Sequence, residues 1–156
     1  MWWRRLRYLL LLASLCAIAT CPAAKRACTA NTRAQEADEL LGYLADHVAQ
    51  TFAATGKLPL TPAPLTPVPG CCEQSGGECP ADPTLWASAG WSELGFSIDD
   101  PFRYSYEYAP DPSGTSVILR AVGDLDCDDK KSQYEVKLSI VGTKLVRTWT
   151  RKDPSE

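Results

Sequence analysis

Acidic residues at regular spacing near the end of the chain could hold a metal ion. If Asp124 is counted as the first position, Asp126 is the third, Asp128 the fifth and Glu135 the twelfth. A calcium loop places acidic oxygens at the first, third and fifth positions and closes the shell with a bidentate glutamate at the twelfth. The spacing therefore predicts a calcium site with the ligand set Asp124, Asp126, Asp128, Lys130 (through its carbonyl oxygen), Ser132 and Glu135.

The same stretch also allows a simpler interpretation. Asp129 occupies the sixth position, where calcium loops use glycine for a sharp turn, and Lys130 and Lys131 bring positive charge beside the ligands. Aspartate adopts the left-handed conformation more readily than most residues, so the loop could still form. The alternative is a solvated acidic connection whose aspartates only stabilise turns, and both interpretations stay open at this point.

The seven cysteines indicate disulfide chemistry more than metal chemistry. The pair Cys71-Cys72 and the later Cys79 lack the two-residue spacing with which neighbouring thiolates grip zinc. Cysteines in an exported chain usually form structural disulfides. We predict disulfides among these cysteines and leave their pairing open: Cys28, Cys71, Cys72, Cys79 and Cys127.

The first residues predict export. Arg4, Arg5 and Arg7 precede an apolar stretch over residues 8–20, which small residues and Pro22 follow. This is the layout of an export signal, and the stretch is shorter than the roughly 20 residues that a membrane span needs. We assign residues 1–24 to the signal, with cleavage near 19–24. Cys21 is a possible lipidation site, so the membrane is expected only through a signal or lipid anchor.

Composition argues against two classes of function. The formal net charge is −3, whereas nucleic acid binding needs a basic surface, so no nucleic acid partner is predicted. His47 is the only histidine, and neither a Ser-His-Asp nor a Cys-His catalytic set can be built without it. Its place at the edge of an apolar helix face favours a surface or packing role. The sequence thus predicts a protein that is not an enzyme.

These residues must be positioned by one helix and a group of strands. Apolar residues recur at spacings of three and four over residues 31–54, which predicts an amphipathic helix opened by a capping box at Thr32 and Gln35. Five prolines in residues 58–70 predict an extended strap, and residues 71–83 form a loop that carries cysteines.

From residue 102 onward the apolar period changes to two. "RYSYEY", "SVILRAV", "QYEVKLSI" and "TKLVRTWT" are strand candidates within residues 102–150, and residues 151–156 are expected to be a flexible tail. The predicted fold is therefore α+β: one N-terminal amphipathic helix packed on an antiparallel sheet of about four strands, as a single domain over residues 25–150.

Aromatic residues should supply much of the core. Trp86, Trp91, Leu94 and Phe96 are the expected anchors in the segment between the cysteine loop and the strands. Tyr104, Tyr106 and Tyr108 share one face of the first strand candidate, which favours burial over the alternative of an exposed contact surface.

Three segments together resemble a known family. "WASAGWSELGF", "YSYEY" and "AVGDLDCDDKKSQYEV" are similar to the soluble head of type IV pilin-like and pseudopilin-like proteins of the delta-proteobacterial or myxobacterial type, over about residues 31–150. The resemblance implies a pilin-like fold, and some members hold calcium in a loop of the sheet domain. The usual processing junction of glycine and phenylalanine and the long apolar stem are missing here.

The resemblance sets the functional expectation. It implies a non-catalytic, exported structural or accessory subunit of a surface filament or secretion-type system, with other pilin-like or surface proteins as partners. The expected location is the periplasm, the outer surface or the extracellular space of a Gram-negative bacterium. The alternative is an exported or lipid-anchored calcium-dependent binding module that does not assemble into filaments.

Overall fold

The computed structural model describes residues 22–154, and the side chains of residues 33–154. Two helices and five strands account for most of this range, apart from short 3-10 turns at Cys71–Glu73 and Pro83–Trp86. In chain order they are α1 (Pro22–Thr55), β1 (Ala63–Thr66), α2 (Ala89–Leu94), β2 (Ser105–Pro110), β3 (Ser116–Gly123), β4 (Ser132–Val141) and β5 (Lys144–Lys152). The predicted cleavage and lipidation sites up to Cys21 lie outside the described residues.

The strands form one antiparallel sheet in the order β1-β2-β3-β4-β5. The prediction of about four strands is wrong, because the sheet has five. The additional strand, β1, comes from the proline-rich strap and pairs with β2 at Ala63 opposite Tyr108. Proline is tolerated there because β1 lies at the edge of the sheet, where one side of its backbone needs no partner strand.

The main helix is longer than residues 31–54. Its described part begins at Pro22, so Thr32 and Gln35, predicted to cap it, lie inside it. At the other end, the N–H of Gly56 donates to the carbonyl oxygen of Phe52 at 2.7 Å, and the positive φ of Gly56 turns the chain out of the helix.

The helix buries its apolar face against the sheet. Leu41, Leu44 and Val48 are at most 1% exposed, and they face alternate residues of the central strands. The tyrosine row, of which Tyr104 lies just before β2 and the other two lie within it, is fully buried, so burial is confirmed and an exposed contact surface is wrong. The buried apolar residues of β2, β3 and β4 are Tyr106, Tyr108, Val117, Leu119, Ala121, Tyr134, Val136 and Leu138.

A second part of the core lies between α2 and the strap. We call Trp86, Trp91, Phe96, Phe102 and Tyr106 the aromatic cluster; all five are at most 3% exposed and their rings contact one another. The indole N–H of Trp91 donates to the Thr66 hydroxyl at 3.0 Å. A Cβ at Gly90 would lie 2.3 Å from the carbonyl oxygen of Pro62, so only glycine permits this approach of α2 to the strap.

The end of the chain continues the sheet further than predicted. β5 extends through Lys152, so residues 151 and 152, assigned to the flexible tail, belong to a strand. Two ion pairs join this strand to α1: Arg147 with Asp46, and Arg151 with Asp38 at 2.8 Å. None of the helices in the described part of the chain has the length and apolar character required to span a membrane.

Candidate functional site

The predicted metal ligands lie on the connection between β3 and β4, which we call the aspartate loop (residues 124–131). Three contacts fix this loop to the rest of the protein. Cys127 forms a disulfide with Cys72, Leu125 is 5% exposed, and the guanidinium of Arg33 donates to the carbonyl oxygen of Leu125. A loop of eight residues that is exposed at its tip is therefore held to the cysteine-bearing loop, the core and α1.

Three of the predicted ligands come together. Asp124, Asp126 and Asp128 each offer a carboxylate oxygen within 4.8 Å of the others. Asp124 also accepts hydrogen bonds from the backbone N–H groups of Asp128 at 3.1 Å and Asp129 at 2.9 Å. These bonds are those of a turn closed by an aspartate side chain, so the solvated-turn interpretation explains part of the geometry.

The ammonium of Lys130 competes with any cation at this position. It donates to Asp128 at 2.8 Å, and the backbone N–H of Lys130 donates to the same carboxylate at 3.0 Å. These hydrogen bonds lower the pKa of Asp128 below its ordinary value, so this carboxylate is charged at neutral pH. The negative charge of Asp128 favours a bound cation, but that ion would have to displace the Lys130 ammonium or share the carboxylate with it.

The other predicted ligands do not join the cluster. The Ser132 side chain is fully buried at the start of β4, and its hydroxyl donates to the carbonyl oxygen of Gly123 at 3.2 Å. Glu135 lies further along β4, where it contacts Arg120 at 3.7 Å and Gln133 at 2.7 Å. Because β4 begins at Ser132, the chain is already an extended strand at the positions where a calcium loop would still curve around the ion.

The fit to a calcium ion is therefore partial. Calcium takes six to eight oxygen ligands, whereas the described residues bring together three aspartate carboxylates. One detail favours the loop geometry: Asp129, at the sixth position, has a φ of 71°, the left-handed conformation that glycine usually supplies there. The calcium prediction stays a prediction with a reduced ligand set.

The cysteines form two disulfides, as the composition predicted. Cys71 pairs with Cys79, and both are buried at 2% and 3% exposure. Cys72 pairs with the exposed Cys127 and joins the cysteine-bearing loop of residues 71–83 to the aspartate loop. Disulfides of this kind are typical of an oxidising, exported environment. The side chain of Cys28, the remaining predicted candidate, lies outside the described side chains.

A groove separates the strap from the aspartate loop. Its volume is about 340 Å³, and its lining combines apolar strap residues such as Leu65 and Val68 with five charged residues: Glu73, Arg103, Asp124, Asp129 and Lys131. The groove carries both signs of charge and so shows no preference for an anion or a cation. Sequence reasoning missed it because it forms only when the strap folds beside β2 and β3.

A buried carboxylate was also missed. Glu36 of α1 accepts hydrogen bonds from the N–H groups of Arg103 at 2.9 Å and Tyr104 at 3.2 Å, and from the Tyr106 hydroxyl at 3.2 Å. Burial raises the pKa of this carboxyl above its ordinary value, although these hydrogen bonds act in the opposite direction. Glu36 therefore binds the helix to backbone donors just before β2. The residues next to Glu36 in the sequence gave no signal for this role.

His47 lies on α1, half-buried beside the turn that ends α2, with its Nε2 3.9 Å from the position of a Cβ on Gly95. This placement favours packing between the two helices.

No family model, curated protein or solved structure matches the chain.

Proposed function

We propose that the protein is a non-catalytic, exported, pilin-like structural or accessory subunit of a surface filament or secretion-type system. Its compartment would be the periplasm, the outer surface or the extracellular space of a Gram-negative bacterium, and its partners other pilin-like or surface proteins. The proposal draws on the resemblance of the strand and loop segments, and on one feature of the fold.

That feature is the length of α1 relative to the sheet. A helix of 34 residues is about 51 Å long at 1.5 Å per residue. The longest strand, β4, has 10 residues and spans about 34 Å. The first eleven helical residues precede Arg33, whose side chain reaches the aspartate loop at the end of the sheet. A helix that continues beyond its own sheet offers a short stem through which a subunit can pack into an assembly, although this stem carries Lys25 and Arg26 and is not the long apolar stem of pilin-like proteins.

Two further observations agree with a structural role. The disulfides and the aromatic cluster give a cross-linked, tightly packed body. The one histidine of the chain is placed for packing, and the buried Glu36 is fully engaged by backbone and tyrosine donors.

Cross-linking mass spectrometry on intact producing cells tests the proposal. Lys25 lies within the first turns of α1, whereas Lys57 lies just after its end. Assembly through the stem predicts cross-links from Lys25 to another surface subunit, and none or few from Lys57. Cross-links confined to the chain itself, with the protein monomeric in the soluble exported fraction, would contradict assembly.

The second candidate is an exported or lipid-anchored calcium-dependent binding module. The observation that favours it is the cluster of three aspartate carboxylates beside the groove. It predicts calcium binding by calorimetry together with a monomeric protein outside any filament. Absence of a calorimetric signal would remove this candidate and leave the structural role untouched.

A further inference from the structure

We propose that the free edge of β5 is a docking strand for an extended, acidic polypeptide segment of a partner protein. The inference goes beyond the proposed function, because it holds whether or not the chain enters a filament. It starts from a difference between the two edges of the sheet. The β1 edge has four residues, one of them Pro64, whereas β5 has nine residues and one neighbouring strand among the described residues.

The register shows which backbone groups of β5 are unpaired. The N–H of Ile140 donates to the carbonyl oxygen of Thr115 on the β3 side at 2.9 Å. Because backbone groups alternate along a strand, Ser139 and Lys137 direct theirs toward β5, opposite Val146 and Thr148. The N–H and C=O groups of the intervening β5 residues therefore point away from the sheet: Leu145, Arg147, Trp149 and Arg151.

These outward groups form a ready template for another strand. The side chains that flank them favour extended structure, since Val146, Thr148 and Thr150 are β-branched and exposed on the face opposite α1. Val146 is 45% exposed, so an incoming strand would also cover apolar surface.

Charge determines the kind of partner. β5 carries Lys144, Arg147, Arg151 and Lys152 and no acidic residue, in a chain whose net charge is −3. Arg147 and Arg151 are already paired with aspartates of α1. Lys144 and Lys152 are exposed at the two ends of the strand, and neither has an ion-pair partner among the described side chains. Acidic residues on a partner strand would meet these lysines, about 27 Å apart at 3.4 Å per residue.

Charge disfavours a second copy of the chain at this edge. Antiparallel self-pairing centred on Thr148 would place Lys144 opposite Lys152. Centring on Arg147 or on Trp149 would place arginine opposite arginine. Like charges directly opposite destabilise a strand pair, so these three registers, in which β5 overlaps most with itself, are disfavoured. Residues 1–21 of the same chain are also unsuitable, because they carry three arginines and no acidic residue. An acidic strand is therefore the complementary occupant.

The test uses a capped synthetic peptide as long as β5, made of alternating threonine and valine with glutamates at both ends. Amide hydrogen exchange by NMR should show new protection at Leu145, Arg147, Trp149 and Arg151 when the peptide is added. Val146 and Thr148 should change little, since their N–H groups already bond to β4. A peptide with lysines in place of the glutamates should give no protection.

A matched pair of variants separates backbone from side-chain effects. Arg147→Pro removes an outward N–H, whereas Arg147→Ala removes the side chain and keeps the donor. We expect Arg147→Pro to bind the acidic peptide about tenfold more weakly than Arg147→Ala, the effect of one lost hydrogen bond. Lys144→Glu/Lys152→Glu, which alters only exposed residues, should also weaken binding.

Three results would overturn the proposal. One is equal binding by the two Arg147 variants, both confirmed as folded by near-ultraviolet circular dichroism. Another is no protection of the four outward amides in the wild-type protein at the highest soluble peptide concentration. The third is a wild-type dimer that protects the same amides without peptide, which would make β5 a self-pairing edge.

Discussion

The aromatic cluster and the aspartate loop are held in place by different kinds of interaction. The cluster consists of large rings that exclude water, and its described polar contacts are few: Trp91 donates to Thr66 and Tyr106 donates to Glu36. The loop is polar and exposed, and depends on its disulfide, the buried Leu125 and Arg33. Burial of apolar rings therefore stabilises the core of this protein, whereas a disulfide and a few specific contacts hold the aspartate loop at its surface. Four substitutions test that contrast.

Removing a ring from the cluster should have the largest effect. Trp91 is fully buried between Trp86 and Phe96, so Trp91→Ala should lower the free energy of unfolding by about 3–5 kcal/mol. Urea denaturation measures this. The matched control is Trp149→Ala on β5, a partly exposed tryptophan whose loss should cost about 1 kcal/mol. Equal losses for the two tryptophans would show that burial does not set the stability of the cluster.

The two disulfides should contribute different amounts to stability, and the more exposed one should contribute more. Cys72–Cys127 closes 55 residues and Cys71–Cys79 closes 8. The loss of loop-closure entropy predicts that the Cys72→Ala/Cys127→Ala pair costs about 4 kcal/mol, and the Cys71→Ala/Cys79→Ala pair about 2.5 kcal/mol. Thermal unfolding of both double variants measures the difference. A larger loss from the buried pair would mean that packing outweighs chain entropy here.

Glu36 should make stability depend on pH. Because its pKa is raised in the folded protein above the ordinary value of 4.5, the folded state binds this proton more tightly than the unfolded state does. That contribution is fully present below the ordinary pKa and is lost as the pH rises through the raised value. The stability advantage of the wild type over Glu36→Gln should therefore shrink as the pH rises from acid to neutral.

Urea denaturation at several pH values measures this advantage. Glu39→Gln is the control, since it removes an exposed carboxylate from the same helix without touching β2. If the stability advantage of the wild type over Glu36→Gln grew as the pH rose, burial would not be the dominant influence on the pKa of Glu36.

The smallest effect on stability is expected from Asp126. Its side chain is exposed and lies near two other carboxylates, so Asp126→Ala in a chelator should change stability by no more than about 0.5 kcal/mol. With calcium, the wild-type melting temperature should rise and that of the variant should not. An unchanged wild-type melting temperature would mean that the loop is only an acidic turn.

The sequence was most informative where side chains alternate between the core and solvent. The period of two predicted β2 through β5 within a few residues, most clearly in β3 and β4, which bury alternate residues under α1. It could not predict β1, whose Pro64 suits only an edge and whose pairing depends on distant Tyr106 and Tyr108. Strand pairing also explains why Glu135 does not join the aspartates. Its spacing along the chain suits a curled calcium loop, but pairing of β4 with β3 begins at Ser132 and carries Glu135 away along the strand.

The helix start and Glu36 were missed for another reason. Residues 22–30 lack a clear apolar stripe, and their helical state follows from continuity with the packed part of α1. The role of Glu36 depends on backbone donors that lie 67 and 68 residues away, a separation that no local pattern can reveal.

The assembly of the chain into a surface structure is the central claim, and one fractionation experiment tests it directly. Ala30→Pro interrupts α1 before Arg33, so it should break the stem and leave the folded body intact. We predict that the wild type and Ala30→Ser appear in the sheared surface fraction of producing cells. Ala30→Pro, with an unchanged melting temperature, should appear only as free exported protein. Wild-type protein absent from the sheared fraction, or Ala30→Pro present in it at wild-type levels, would contradict the account.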